Sequence, residues 1–572
     1  MKKIALATVS LGLLMLASCR SGEEIQDKFL ASGSAGVTVY RLDDSKQPVT
    51  ADTLPRGLSV RADMSGRIRT DSGRFIPVRI GRGRFLVEEG ALVDSLKLSV
   101  QEKSLFVRTP ASIIDDTTCA HICGLARKGA DVEILGHDRI DGRGRVHRYK
   151  VRCGGWEGYV FGKYLTADRA EALGSYLPEV YDTIHAKVRN PFGAGEASGC
   201  DYFPVEKPSF PDNVRPETSY SLYLNNSPVT LGKIEEYIAL AKQSLINTFV
   251  IDIKDNECPA YKADAMKLYS PTNYARAGAK QEQAVRHAVE RLHEEGFYVI
   301  GRITCFKDTY FVKDNPDAAI TEKATGEPLF YNNARWPSAF DRKVWQFNVE
   351  LAKEAVRKFG FNEINFDYVR FPDRMLKIED TIDYHDKYGE TKVQAIQRFV
   401  QYACDEIHET GAYVSVDVFG ESAMPGYTTA YGQYWPAISN VVDVICGMPY
   451  PDHFANRYFG IDKPWNHPYR TLRAWGRRVE ARQSEIPTPA VPRTWIQAYH
   501  VMKHVDPNGI DYDAGNVELE IRALFDAGLT GGYITWMSTS SLDKYTNQLP
   551  AFCIDYIKEE PLQEERQEPV LQ

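Results

Sequence analysis

The 572-residue chain is poor in histidine. It has 12, none in a His-x-His or His-Glu-x-x-His arrangement, so neither spacing of a histidine metal centre is present. A Gly-x-Ser-x-Gly elbow is also missing, which removes the usual signature of a serine hydrolase of the α/β type. There is no basic excess: Lys+Arg total 69 against Asp+Glu 77, a net charge of −8. A phosphate-binding surface needs the opposite balance, so nucleic acid is not the expected partner. Gly193-x-Gly195-x-x-x-Gly199 has no strand feeding it and no helix after it, and is not a nucleotide loop. Cysteine is sparse at 10, and no cofactor motif stands out. Aromatic residues, in contrast, reach 11% with 32 Tyr and 8 Trp, a composition suited to stacking on flat apolar faces such as sugar rings as well as to core packing.

Long apolar runs are confined to Ile4–Ala17, behind Lys2 and Lys3 and too short to span a bilayer. The run ends in Leu16-Ala17-Ser18-Cys19, which resembles a bacterial lipobox. That resemblance implies a signal peptide over 1–18, lipid attachment at Cys19 and a place in the cell envelope. Arg20 rather than Asp after the Cys is compatible with the outer membrane. Membrane contact is expected through the lipid alone, and residues 19–35 read as a polar tether. Nine cysteines remain after Cys19. Export permits disulfides; Cys119, Cys123 and Cys153 suit one bridge or plain packing, and Cys305 and Cys446 lie in apolar strand-like runs.

Residues 36–98 and 99–167 look alike. Each carries short alternating strands, Arg-Gly or Lys-Gly turns (Arg56-Gly57, Lys128-Gly129) and a closing hairpin. About 60 residues of such pattern suggest a small barrel. Gly155-Trp156-Glu157-Gly158-Tyr159-Val160 resembles the segment typical of bacterial SH3-like domains. The resemblance implies a spacer or docking role, with a cell-wall peptide or protein as the ligand if one is bound. Residues 168–217 read as a Pro-rich linker, and 558–572 as a polar tail.

From 218 to 557 apolar strands alternate with helical stretches. The strands are expected at Tyr220–Leu224, Thr248–Ile253, Tyr298–Thr304, Glu363–Val369, Tyr413–Val418, Val442–Cys446, Thr494–Ala498 and Gly532–Trp536. Eight strands separated by helices predict an α/β fold, a (β/α)8 TIM barrel, behind the small all-β barrels. Period-2 alternation then sorts the side chains. Val250, Asp252 and Lys254 share one face, as do Ile300, Arg302 and Thr304; Glu363, Asn365 and Asp367; Ser415 and Asp417; and Trp495, Gln497 and Tyr499. The apolar alternates must face the helices, so these polar sets face the axis. A salt-bridge network filling the barrel and an active site are the two readings of such a set, and convergence at the strand ends favours the second.

Two inward carboxylates on adjacent strands, Asp367 and Asp417, suit glycoside hydrolysis, which needs one ionised and one protonated carboxyl group across the scissile bond. Arg302 and Arg370 are the cations placed to hold Asp367 ionised. Asp417 and Glu421, in the loop just past the strand, are both candidates for the acid.

Gly301–Asp308, Gly360–Pro372 (with Asp-Tyr-Val-Arg-Phe-Pro), Val416-Asp-Val-Phe-Gly420 and Met448-Pro-Tyr-Pro-Asp-His453 together resemble the glycoside hydrolase domain of the DUF4015 type. That family is similar to the α-amylase-like barrels, whose nucleophilic Asp ends strand 4; the match carries to Asp367. The acid that follows strand 5 matches either Asp417 or Glu421. Asn365 stands where those enzymes have an Arg, and strand 7 offers Gln497 and Tyr499 instead of a His-Asp pair, so amylase activity itself is not implied. Position suggests substrate contacts at Asp252, Lys254, Arg302, Lys307, Asp308, Trp336, Arg370, Tyr450, His453, Gln497 and Trp536. Lys254, Asp255, Lys307 and Asp308 are also placed to form an ion-pair rim. The expectation is an exported, lipid-anchored glycosidase acting on a poly- or oligosaccharide; the alternative is a non-catalytic glycan- or peptide-binding lipoprotein on an inactive barrel.

Overall fold

The computed structural model describes residues 24–117, 121–178, 180, 199–255, 258–424, 430–559 and 561–562. The signal segment with Cys19, and Cys119, lie outside the described residues, as do most of the tail and much of the linker. The chain divides into two compact units, one of residues 1–107 and 129–169, the other of 108–128 and 170–572.

In the first unit alternation sets the sheet. Val37 and Val39 in Gly36–Leu42, and Val60 and Ala62 in Ser59–Asp63, point inward while their neighbours meet solvent. They meet Leu30, Ile76, Val78 and Val87 in one apolar core. Leu30 ends a strand, Ile25–Leu30, which pairs antiparallel with Ser59–Asp63 and Leu92–Val93. Residues 25–30 are therefore not part of a tether; the polar composition hid a strand that contributes one fully buried leucine. A second antiparallel set contains Ser104–Val107, Asp131–His137, Arg148–Cys153 and Trp156–Phe161. Its last hairpin turns at Gly154 and Gly155, with φ of 56° and 89°, the left-handed pair a two-residue turn requires. A buried Arg56 joins the two sets. It is ion-paired with Glu102 and donates to Tyr149 Oη and Gly144 O at 2.9 and 2.7 Å. Among the described cysteines, Cys153, Cys200, Cys305, Cys446 and Cys553 are free thiols, and all of these but Cys553 are buried.

The second unit is a nearly closed parallel barrel. Its strands are β1 (Ser219–Leu224), β2 (Thr248–Asp255), β3 (Tyr298–Thr304), β4 (Glu363–Asp367), β5 (Tyr413–Phe419), β6 (Val444–Met448), β7 (Val491–Pro492 and Thr494–Gln497) and β8 (Gly532–Trp536). β7 is interrupted at Arg493; its first piece pairs with β6, its second with β8, and Arg493 N still reaches Ile445 O at 3.0 Å. Each strand leads into a helix. Asp341 caps α1 (Arg342–Phe359) by accepting from Lys343 N, and Gly360 (φ 82°) ends it in the left-handed turn that glycine allows. Thr391 and Gln394 form a capping box on α2 (Lys392–His408). Among the described residues no helix is long and apolar enough to cross a membrane.

The stretch read as the end of a linker is ordered against the barrel. Lys207 Nζ donates to the carbonyls of Ser439, Asn440 and Val442 at 3.3, 3.0 and 2.5 Å. Asn213 Nδ2 serves Asn362 O and Gly411 O, both at 2.8 Å, and Phe210 packs edge-on to Tyr413. These carbonyls end helices and begin strands at the N-terminal rim, where a buried acceptor needs a donor. A Pro-rich segment without regular structure supplies it.

Candidate active site

β4 runs only to Asp367, two residues short of the expected end, because Tyr368 adopts φ 52°. A left-handed tyrosine is strained by roughly 1–3 kcal/mol. Neighbouring backbone bonds hold it: Cys305 N to Asp367 O, Phe306 N to Tyr368 O and Arg370 N to Tyr368 O, at 2.8, 3.2 and 2.9 Å. The turn points the Asp367 carboxylate into the mouth of the barrel with its own Tyr368 N–H at 2.5 Å.

Arg302, on β3, is the centre of the upper layer. Its Nη1 meets Asp252 Oδ1 at 2.7 Å and Asp255 Oδ1 at 3.3 Å; its Nη2 meets Asp367 Oδ2 at 2.5 Å. Asp417 Oδ2 lies 3.9 Å from Nε, and neither of those two atoms has a hydrogen-bond partner among the described residues. Asp417 Oδ1 accepts from Asn365 Nδ2 at 2.8 Å and Trp495 Nε1 at 2.7 Å. Asp252 also accepts from Tyr223 Oη at 2.5 Å. One cation thus serves four carboxyl groups. Burial pushes Asp252 up to about 7, with Asp255 adding to the effect and Arg302 opposing it. Burial, then the charge of Asp367, raises Asp417 well above the usual carboxylate range despite Arg302, Asn365 and Trp495.

Alternation places Asp252, Arg302, Asn365, Asp367 and Asp417 together. It fails at Lys254. A bulge after Asp252 shifts the register, so Lys254 rather than Ile253 pairs with Ile303. Lys254 leaves the axis, is fully buried, and donates to Asp308 at 3.0 Å and to Thr304 O. Asp308 is itself buried, accepts from Asn273 Nδ2 at 3.1 Å and caps the short helix Thr309–Asp314. This pair is structural and offers nothing to a ligand in the mouth. Its place at the axis is taken by Asp255, whose side chain is 37% exposed.

Trp336 is another correction. It is 1% exposed, donates to Tyr331 O at 2.9 Å and sits among Ile320, Leu329 and Met375. No face is open for a sugar; the ring instead supports Arg370, 5.2 Å above it. Arg370 also lies over Tyr368 and Phe419 at 5.1 and 4.5 Å. Lys307 lies over the same Tyr368 ring at 5.0 Å. Glu421, half-buried in the turn Gly420–Ala423 after β5, accepts from Tyr431 Oη.

On the β6–β7 side, Gln497 is buried and bonds to Asp452 N and Tyr499 O, both at 3.3 Å, fixing the loop rather than facing outward. Asp452 accepts from Tyr499 Oη and pairs with His453 Nδ1, each at 2.9 Å; His453 is half-exposed. Tyr450 is buried beside His453, with ring centres 5.1 Å apart. Trp536 is partly exposed over Arg302 at 5.4 Å, against Tyr223 and Trp495. Tyr223, Asp255, Tyr431 and Asp452 were not among the site residues expected from sequence; Asp255 was placed only in an ion-pair rim, Asp452 stood inside the Met448–His453 motif, and Tyr223 is an alternate position on β1.

No curated protein matches the sequence. Among solved structures, similarity extends to a hypothetical protein from Ruminiclostridium thermocellum (30% identity, 34% of this chain, 97% of that chain, TM-score 0.30) and to the PgaB (BpsB) glycoside hydrolase domain of Bordetella bronchiseptica (10%, 59% and 99%, 0.41). A chitobiase from Flavobacterium johnsoniae is similar at 10% identity over 60% of this chain and 49% of its own length, with a TM-score of 0.39. The family model described as "Putative glycosyl hydrolase domain" (DUF4015) matches residues 221–542, more than half of the chain and nearly all of the barrel that holds Arg302 and its carboxylates. The chain belongs to this family.

Proposed function

We propose that the protein hydrolyses O-glycosidic bonds of a poly- or oligosaccharide, with Asp367 as nucleophile and Glu421 as general acid and base. One observation carries this reading: Asp367 stands at the C-terminal end of β4 with both oxygens oriented, one by Arg302 and one by the Tyr368 N–H. Catalytic groups of such barrels lie at the strand ends. Glu421 is preferred over Asp417 as the acid because Asp417 is 0% exposed, while Glu421 lies half-buried in the turn just past β5. Asp417 then acts on position, its side chain held beside Arg302 by Asn365 and Trp495. The lipobox at Leu16–Cys19 supports attachment to the cell envelope at Cys19, and the Gly155–Val160 segment supports SH3-like docking to a cell-wall peptide or protein.

The test is turnover of bacterial and plant glycans by the purified full-length protein, with Asp367→Asn and Glu421→Gln. Asp367→Asn should lose at least about a thousandfold. Glu421→Gln should lose activity on natural glycans yet spare aryl glycosides whose leaving group needs no proton. Equal rates in wild type and Asp367→Asn would move the nucleophile elsewhere. Binding without product from any glycan would establish instead a glycan-binding protein without catalysis.

A further inference from the structure

Charge is distributed unevenly around the mouth. On one side Arg302 is surrounded by Asp252, Asp255, Asp367 and Asp417, four carboxyl groups that work against a ligand anion there although its buried Nε has no hydrogen-bond partner among the described residues. On the other side two cations share one aromatic ring: Lys307 Nζ and Arg370 Cζ lie 5.0 and 5.1 Å from the centre of Tyr368. Arg370 is held in place by Trp336 and Phe419 and by Phe371 O at 3.1 Å, with one ion pair, Asp373 Oδ1, at 3.3 Å. Lys307 makes no hydrogen bond or ion pair among the described residues. It is partly buried, and burial and the charge of Arg370 both lower its affinity for a proton, against Asp255, Asp367 and Asp373.

Arg370 has its ion pair in Asp373, whereas Lys307 stands beside it with carboxylates nearby but none in direct contact, and a ligand anion can take that contact. The ring they share belongs to the residue after Asp367, in a backbone conformation that has to be forced. The strain sets this cation pair beside the candidate nucleophile. A neutral sugar gains little from such a pair; a carboxylate or sulfate gains charge-assisted hydrogen bonds from both.

Resting on the glycosidase reading, we propose that the glycan bound here carries an acidic group, a carboxylate or a sulfate ester, seated between Lys307 and Arg370 in the sugar unit next to the reacting bond. The site thereby selects acidic over neutral glycans.

The experiment measures affinity by calorimetry with the full-length protein carrying Asp367→Asn, so that cleavage does not interfere. The probes are oligouronides with their carboxyl-reduced counterparts, and sulfated oligosaccharides with their desulfated counterparts. At least one acidic set should bind tenfold or more tightly than its neutral counterpart, and the set that does identifies the acidic group. Adding Lys307→Gln should abolish that preference; Lys307→Arg should keep it. No preference in either set, or a preference that survives Lys307→Gln, overturns the proposal. Cleavage of glycans by wild type without acidic preference would leave the hydrolase reading standing and remove this one. An acidic preference with no cleavage of any probe would do the reverse.

Discussion

The barrel buries two arginines near its axis, and they do different things. Low in the barrel Arg493 meets Glu363 through both nitrogens, at 2.7 and 3.2 Å, and Tyr298 Oη adds a bond at 3.1 Å. One cation balances one anion. Higher up, Arg302 has four carboxyl groups around it and cannot satisfy all of them. Burial first, and the neighbouring carboxylates after it, raise the proton affinity of Asp252 and Asp417. A buried pair that balances is a structural element; a buried cluster that does not is poised for proton chemistry.

The sharpest break of the comparison is to remove each cation. Arg302→Met should cost at least about a thousandfold in kcat/KM, because Asp367 loses the donor that orients it. Arg493→Met should instead lower unfolding free energy by about 3–5 kcal/mol, since Glu363 is left buried and unpaired, while the folded fraction keeps its turnover. Thermal or denaturant unfolding alongside kinetics separates the two. Combining Arg493→Met with Glu363→Gln should recover most of that stability, because the penalty comes from the orphaned charge.

A smaller effect sits in the pH dependence. Asp252 holds its proton in the folded state up to about 7, well above an unfolded Asp. The folded state therefore binds more protons than the unfolded state between about pH 4 and 7, and the stability from this group falls as pH rises through that window. Asp252→Asn should flatten the slope of unfolding midpoint against pH. The smallest change is expected for Asp417→Asn, which removes one of the four carboxyl groups around Arg302, the one whose charged form burial disfavours, and keeps an acceptor for Asn365 and Trp495. Its stability at pH 7 should equal or exceed that of wild type; a loss above about 2 kcal/mol would mean that Asp417 is ionised in the folded protein.

Much of the barrel was legible because apolar runs bounded by helical pattern are local signals. β3 and β8 fall at Tyr298–Thr304 and Gly532–Trp536, the expected bounds, and parity alone brings Arg302, Asn365, Asp367 and Asp417 to one face. What parity could not carry was any departure from the repeat. The bulge after Asp252 exchanged Lys254 for Asp255, and the left-handed Tyr368 shortened β4. Burial is non-local as well: Trp336 lies in an insertion whose own fold covers it. Residues 25–30 and 200–216 were hidden because polar and Pro-rich composition reads as coil whether or not distant carbonyls and apolar faces hold it.

Whether the surplus carboxylates around Arg302 include the nucleophile is decided by trapping. The full-length protein is incubated with 2-deoxy-2-fluoro glycosides of the sugars it cleaves, digested and mapped by mass spectrometry. One glycosyl unit is expected on the peptide containing Asp367, absent from Asp367→Asn. A label on another carboxylate, or none while the natural substrate turns over, would contradict that expectation.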